Sequence, residues 1–566
     1  LSSGSELETP YMNKKLIFAI LGLLFVTVLA IWFFNQRRTD LKEELPIALD
    51  IESSSLLDEL TYTDEIVDFY KKRDYLEIWL FNGSPSKSGE ELIEAIADSK
   101  YDGLQPEDYN WRQISNLSTN PDKKKRKFKN LSTDEQVRLE ILLSDGFFKL
   151  LHDLESGKVD PAKLDPQWKF EAKSTNTNYS KLLDEIVNGN SVPETLAKVY
   201  PNSKIYRRSK EAIQKLYAIL DRDTLTWEFE AVKGAIEVGE HHPAIPNLRK
   251  RISFWDFLKP YEPTNTTQFD SVMYEGLRRY QKANGMNPDG VIGELVAESL
   301  NKSPQDFIDI ASINMERLRW MPELDWEEEM VLVNIANYQL DYIEQSDTVF
   351  SAKVIVGKEY SESPTFVAPM TYIAFSPYWN IPFSITQDEI IPAMKKDESY
   401  LSKKNMEVTT ASGEPVNHKT INWSKMKGNE FPYFIRQKPG GDNSLGLVKF
   451  MFPNEYNIYI HDTPARGLFS KESRALSHGC IRIQNPDQFA KILLDDDSWS
   501  DEKIRIAMNQ DTEEVVLLNR KIPVVLVYLT FWADENGDSH FRSDIYDRDR
   551  ALLDALKTHK SSRGKS

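Results

Sequence analysis

Cys480 is the single cysteine in 566 residues. A lone cysteine forms no intramolecular disulfide, so its use is packing or reactivity. Beside apolar residues the plain reading is a small buried hydrophobe. Its neighbours argue for reactivity. The stretch Ser477-His478-Gly479-Cys480-Ile481-Arg482 follows Tyr459-Ile460-His461-Asp462-Thr463-Pro464 after a short spacer, so two of the chain's eight histidines fall within twenty positions of its one thiol. The thiolate is the nucleophile, a free thiol of pKa about 8.5 is mostly protonated at neutral pH, and a nearby imidazole can take its proton. Gly479 allows a positive φ or a close approach of backbone to ligand. The residues therefore offer a nucleophile with two candidate bases, His461 and His478. Two histidines and one cysteine make no closed ligand set at zinc-finger spacing, so no metal is expected.

The pattern of His461, a spacer and Ser477-His478-Gly479-Cys480-Ile481-Arg482 resembles the signature of the L,D-transpeptidase (YkuD-type) catalytic domain, a family that cross-links cell walls with a cysteine nucleophile. Asn314-Met315-Glu316-Arg317-Leu318-Arg319-Trp320-Met321-Pro322, Pro377-Tyr378-Trp379-Asn380-Ile381-Pro382, Asn443-Ser444-Leu445-Gly446 and Phe541-Arg542-Ser543-Asp544-Ile545-Tyr546 are similar to its large periplasmic, membrane-anchored members, which extends the resemblance over most of the chain from about residue 60. The resemblance implies that Cys480 attacks the carbonyl of the third residue of a peptidoglycan stem tetrapeptide and expels D-alanine. An amine on the third residue of a neighbouring stem then resolves the thioester, giving a 3→3 cross-link. It implies His461, at the end of a strand, as proton donor and acceptor. His478 is the secondary candidate, which orients the loop or supports the oxyanion. The oxyanion hole is expected from the backbone N–H of Cys480 together with that of Gly479 or His478.

Asp462 is open as the orienter of His461 or as a turn former, with a backbone carbonyl as the other orienter. Arg482 and Arg436 are candidates for substrate carboxylates, since arginine suits bidentate recognition; a structural salt bridge is equally open for Arg482. Tyr459 and Trp379 are candidate groove walls, with core packing the plainer reading of Trp379. The resemblance implies no cofactor, peptidoglycan stem peptides as partner, and acylation of Cys480 by a carbapenem-type β-lactam. A hydrolase on the same site (an L,D-carboxypeptidase or cross-link-cleaving amidase) and an inactive wall-binding scaffold are the alternatives. Oligomeric state is not legible.

The elements that must position these residues read as several domains. Together with the resemblance they imply an α-helical scaffold and a small helical peptidoglycan-binding-like module, followed by a mostly β catalytic domain with a capping insertion. Helical spacing is set by Ile66, Phe69 and Tyr70, by Leu92, Ile93 and Ile96, and by the long apolar stripe of 134–155, all within a scaffold over 61–260. Helices are expected to continue over 179–236. His152 lies on the long helix with no sequence-near partner evident. The run 123–127 (Lys123-Lys124-Lys125-Arg126-Lys127) reads as a solvated loop. A peptidoglycan-binding-like module over 264–301 carries the turn Asn287-Pro288-Asp289-Gly290 between helices, and connecting helices follow over 302–328. From 329 the period turns to strands, through a catalytic domain to 532 interrupted by the insertion at 384–434. Val515 to Leu518 and Val524 to Thr530 read as separate closing strands, and 533–566 as a C-terminal segment with a disordered tail.

With 88 acidic and 70 basic residues the net charge is −18, which argues against nucleic-acid binding because phosphate contacts need a basic face. Hydrophobic content of 40% is enough for real cores. Lys14-Lys15 precede nineteen uncharged residues, 16–34. At about 1.5 Å per residue these cross a hydrocarbon core, so a signal anchor is expected, followed by a tether over 35–60. Lys14-Lys15 and Arg37-Arg38 compete over its orientation; the family resemblance implies the inner membrane, with 1–15 cytoplasmic and the bulk periplasmic. A single cysteine suits an oxidising compartment, where a second would risk a wrong disulfide.

Overall fold

The computed structural model describes residues 41–50, 56–119, 127–171, 173, 177–227, 230, 232–324, 328–427 and 430–558. The expected anchor at 16–34, most of the basic run at 123–127 and the tail beyond 558 lie outside the described residues. Among the described residues, no helix is long and apolar enough to cross a membrane.

The chain divides into two compact units. The first holds the described residues from 41 to 158 and from 177 to 201, and it is built around the helix Thr133–Ser156. Ser132 and Glu135 close a capping box at its start, satisfying two N–H groups that would otherwise be orphaned. Glu140 on this helix is fully buried and accepts from the backbone N–H of Trp79 (3.1 Å) and Leu80 (3.0 Å) and from the Tyr70 hydroxyl (2.8 Å). Burial raises its carboxyl to about 7. The segment around Tyr75 to Trp79 thus docks on this carboxyl. The tether expected over 35–60 is, in its described part, a helix over 41–48 whose Leu41 and Leu45 join the core with Leu49. Three leucines at helical spacing outweigh the surrounding charge.

The second unit holds 159–173 and 202–555. Residues 202–260, placed by sequence with the scaffold, therefore pack here. The helical continuation to 236 ends at Asp221, where Lys204–Asp221 stops. The helices Ile245–Phe254, Ser271–Ala283 and Glu294–Leu300 share one small core through Leu248, Ile252, Leu277 and Leu300. A single helix, Pro304–Trp320, fills the expected connecting stretch.

Among the described residues, nine strands form the main sheet: β1 Met330–Asn334, β2 Gln339–Glu344, β3 Asp347–Gly357, β4 Phe366–Phe375, β5 Val448–Met451, β6 Ile460–His461, β7 Ala475–Ser477, β8 Ile481–Ile483 and β9 Glu514–Val527. Their order is β7-β3-β8-β6-β5-β4-β9-β1-β2, and β2 also pairs with β3, so eight strands close into a ring with β7 attached to β3. Closure leaves few unpaired edges. One face of the ring buries Val354, Ile373, Phe450, Ile460 and Ile481 in a single core, against which the helix Pro486–Leu494 packs Phe489 and Leu493. The two closing strands expected near the end are one strand, β9, with a register shift between Leu517 and Ile522. The shift lets Lys521 and its neighbours break the apolar pattern without ending the pairing.

The insertion has its own sheet, in the order Trp379–Asn380, Phe434–Gln437, Met406–Thr409, Pro415–Val416, and its own core of Ile391, Leu401, Trp423 and Ile435. Trp379–Asn380 lies at its edge, where the following Pro382 costs no ladder bond.

Candidate active site

Two short parallel strands set the site. Ile460 of β6 lies opposite Ile481 of β8, and His461 opposite Arg482. Side chains alternate along a strand, so Ile460 and Ile481 enter the core while Tyr459, His461, Cys480 and Arg482 share the other face. The Tyr459 and His461 rings stand 5.7 Å apart, as neighbours on that face.

The Cys480 sulfur is crowded by one residue above all. The Tyr459 hydroxyl and backbone N–H both favour its charged form. Trp379 of the insertion sheet in turn favours the charged form of the Tyr459 hydroxyl. The thiol faces the Asn457 carbonyl at 3.6 Å. Burial pushes the thiol up to about 11, against the opposing pull of Tyr459 and the Arg482 charge. Tyr459 and Trp379, read from sequence as groove walls, thus act in series on the sulfur. Trp379 also packs against the insertion core.

His461 is buried, and its Nδ1 lies 2.5 Å from the Asp462 carbonyl oxygen. Burial first, then the Arg482 charge, pushes the imidazole down to about 3; the carbonyls of Asp462 and Leu445 pull the other way. The orienter is therefore a backbone carbonyl. The Asp462 carboxylate is spent elsewhere: it accepts from Leu447 N–H at 2.9 Å and pairs with Arg466 at 3.3 Å. It thereby ties the strand end to the turn Asn443–Gly446, whose Asn443 amide donates to the Pro377 and Lys438 carbonyls, both at 2.9 Å. Insertion and sheet are sewn together at this point. No hydrogen bond joins Cys480 to His461 among the described residues, so thiol and imidazole rest as neutral groups on one face.

Gly479 has φ +112°, a conformation glycine adopts without strain. Its own N–H donates to Ser477 Oγ at 3.1 Å, and its carbonyl accepts from Ser363 Oγ at 2.6 Å. Gly479 is thus committed on both sides and is not the donor expected for an oxyanion. Among the described residues, the N–H groups of His478 and Cys480 have no partner. Ser477 also donates its hydroxyl to the Cys480 carbonyl at 2.6 Å. Ser477 and Ser363 were missed by sequence reasoning; the only signal available was the position of Ser477 inside the motif.

Arg482 has a buried Nε without a hydrogen-bond partner, and no carboxylate pairs with it among the described residues. The structural salt bridge left open for it is not formed. Arg436 has the opposite fate: its Nε donates to Glu407 at 2.6 Å and its guanidinium lies 4.5 Å from the Tyr378 ring centroid. Its Nε thus braces the insertion sheet. His478 is exposed, with Nε2 3.3 Å from Glu389 and 3.4 Å from Lys358.

His152 proves to have sequence-near partners: Asp153 at 3.1 Å and Ser156 at 3.1 Å. The Ser156 hydroxyl is also 3.0 Å from the His152 carbonyl, and the trio sits at a helix C-terminus, whose negative dipole end disfavours an oxyanion. It is a helix-end clasp. No group of three or more metal-ligating side chains converges among the described residues.

What the geometry can do is covalent acyl chemistry: a sulfur, an imidazole on the same face, two N–H groups beside the sulfur, and an unpaired guanidinium. Comparison with known proteins agrees. Residues 328–506 match the model of the L,D-transpeptidase catalytic domain, residues 241–300 that named "Putative peptidoglycan binding domain", and residues 64–213 that of a scaffold domain. The chain is 34% identical over 241 residues to a protein of Haemophilus influenzae named "Putative L,D-transpeptidase", a match covering 43% of this chain and 48% of that one. The match thus spans about half the length of that relative. An L,D-transpeptidase structure from Xylanimonas cellulosilytica is 13% identical, covering 53% of this chain and all of that one, with a TM-score of 0.16. One from Stackebrandtia nassauensis is 12% identical, covering 54% and 97%, with a TM-score of 0.20. Overlaps this loose do not carry the fold assignment.

Proposed function

Residues 328–506 belong to the L,D-transpeptidase catalytic family, and from that membership we propose that this protein forms 3→3 peptidoglycan cross-links through a thioester on Cys480. The observation that carries the reading is the shared face of β6 and β8, where Cys480, His461 and Arg482 project together. His461 takes the thiol proton as sulfur attacks the carbonyl carbon of the third stem residue. The oxyanion that forms is held by the N–H groups of Cys480 and His478, donors of a kind worth about 3 kcal/mol each. The carbon–nitrogen bond breaks, and His461 returns its proton to the departing D-alanine amine. Arg482, with an unpaired Nε beside the sulfur, holds the substrate carboxylate. An acceptor amine then attacks the thioester and sulfur leaves.

Tyr459 steadies negative charge on sulfur at both of its appearances, as attacking and as leaving group. The insertion, tied down at Asn443 and reaching the sulfur through Trp379, supports transfer over hydrolysis by excluding water. The helical module at 241–300 supplies wall affinity, and residues 16–34 anchor the chain in the inner membrane with its bulk in the periplasm.

Mass spectrometry of products from disaccharide-tetrapeptide tests this. The expected product is a dimer with loss of D-alanine, absent in Cys480→Ala. Tripeptide alone would make water the acceptor and the protein a carboxypeptidase. No turnover, with Cys480 unreactive toward a carbapenem, would overturn the enzyme reading.

A further inference from the structure

At His478, two residues before the nucleophile, an acid and a base compete for one nitrogen. His478 Nε2 lies 3.3 Å from Glu389 Oε1 and 3.4 Å from Lys358 Nζ. A ring nitrogen either donates or accepts. Carrying a proton, Nε2 serves Glu389 and strands Lys358; without it, Nε2 accepts from Lys358 and strands Glu389. Among the described residues neither charged group has another polar side-chain partner. The trio is open to solvent, with the Glu389 side chain 53% and that of His478 46% exposed.

Each member is nevertheless held on a rigid support. Lys358 follows β3, and its N–H donates to the Ser477 carbonyl at 3.1 Å. The turn that follows is locked to the nucleophile loop by Ser363, which accepts from Gly357 N–H at 3.0 Å and donates to the Gly479 carbonyl. The Lys358 ammonium rests 4.2 Å from the Tyr360 ring centroid. Glu389 comes from the insertion, in a π-helical turn, Thr386–Ile390, between two α-helical segments. Such turns interrupt helices at a cost and recur at functional sites. Two charges of opposite sign, presented by two different elements and joined only by a shared, half-satisfied nitrogen, match a ligand that carries both opposite charges close together.

We infer that Glu389, His478 and Lys358 form the acceptor subsite, which takes an amine whose carbon also bears a carboxylate. This rests on the transpeptidase reading above. The acceptor's ammonium pairs with Glu389 and its carboxylate with Lys358. The ammonium gives one proton to His478 Nε2, and the free amine nitrogen attacks the thioester carbonyl carbon. The new nitrogen–carbon bond forms, the carbon–sulfur bond breaks with its electron pair left on Cys480, and the second nitrogen proton passes through His461 to that sulfur. Glu389 and Lys358 are positioning residues; neither reaches the reacting carbon.

The test is the partition of the Cys480 acyl-enzyme between acceptor and water, read as the ratio of cross-linked dimer to hydrolysed tripeptide, which does not depend on how fast the acyl-enzyme forms. Glu389→Gln is expected to lower that ratio about tenfold or more, the scale of a lost charge-assisted contact. Lys358→Met is expected to do the same for an acceptor with a free carboxylate beside its amine, and to make no further difference for one amidated there. An unchanged ratio in both variants would overturn the inference while leaving the transpeptidase intact. Absence of any acyl-enzyme in the wild type would instead remove the transpeptidase reading, and the acceptor subsite with it.

Discussion

Tyr459, just before β6, faces the Cys480 sulfur, just before β8, and with both its hydroxyl and its backbone N–H it favours the thiolate. A hydrogen bond to a charged group is worth about 1.5–3 kcal/mol, so deleting the hydroxyl raises the thiol by about one to two pH units. Tyr459→Phe is therefore expected to slow iodoacetamide alkylation at about pH 8 by tenfold or more, since rate follows the thiolate fraction. With one cysteine in the chain, the labelled site is unambiguous. Trp379→Phe, one bond further away, is expected to slow it less. Equal rates in wild type and Tyr459→Phe would remove the tyrosine from the chemistry.

The pH behaviour follows from a thiol at about 11 and an imidazole at about 3. Between these values both groups are neutral, so no thiolate–imidazolium pair rests in the free enzyme. Alkylation is expected to climb steadily from neutral pH toward 11 with no plateau near neutrality; a plateau there would mean a resting ion pair. Stability carries the opposite signature on the acid side. The folded imidazole is depressed from 6.5 to about 3, so below 6.5 the unfolded chain binds its proton first. Stability is lost as pH falls from about 6.5 toward 3, and thermal melts of His461→Asn should lack that component.

The two arginines separate cleanly. Arg482→Gln removes the unpaired guanidinium and is expected to cut acylation by tetrapeptide about tenfold to a hundredfold. That loss should exceed its loss toward neutral iodoacetamide, which has no carboxylate to hold. Arg436→Gln breaks a partly exposed pair with Glu407 and is expected to cost about 1 kcal/mol in stability, with tetrapeptide acylation little altered. Parallel loss of both reactions in Arg482→Gln would reduce Arg482 to a tuner of the thiol.

Local pattern carried much of this into the sequence. The helix Thr133–Ser156 announced itself by its apolar stripe and the helix Pro486–Leu494 by its proline, because both bury one face at helical spacing. Cys480 and His461 stood out by type and spacing. What was not legible depends on register. Nothing in the spacing tells that Asn457 or Trp379 reaches the sulfur end of the site, since contacts between strands distant in sequence follow from pairing rather than composition. The helix over 41–48 was masked by flanking charge, and Gly479 was misjudged as a donor because a serine two positions earlier already takes its N–H.

Gly446 shows how far the support of His461 extends. It has φ +65°, and a Cβ there would stand 2.4 Å from the Asp462 carboxyl group. That carboxyl accepts from Leu447 N–H, and the same residue's carbonyl orients His461. Gly446→Ala therefore combines left-handed strain with a clash against a buried side chain that cannot swing aside, and is expected to cost about 2–4 kcal/mol. Turnover should fall with it through kcat more than KM, because the imidazole moves while the carboxylate site at Arg482 does not. Gly446→Asn separates the two causes. Asparagine tolerates the left-handed region, but its Cβ meets the same carboxyl. It is expected to be nearly as damaging as alanine in melting temperature and kcat; recovery of both in Gly446→Asn would assign the role to backbone strain and free Asp462 from it.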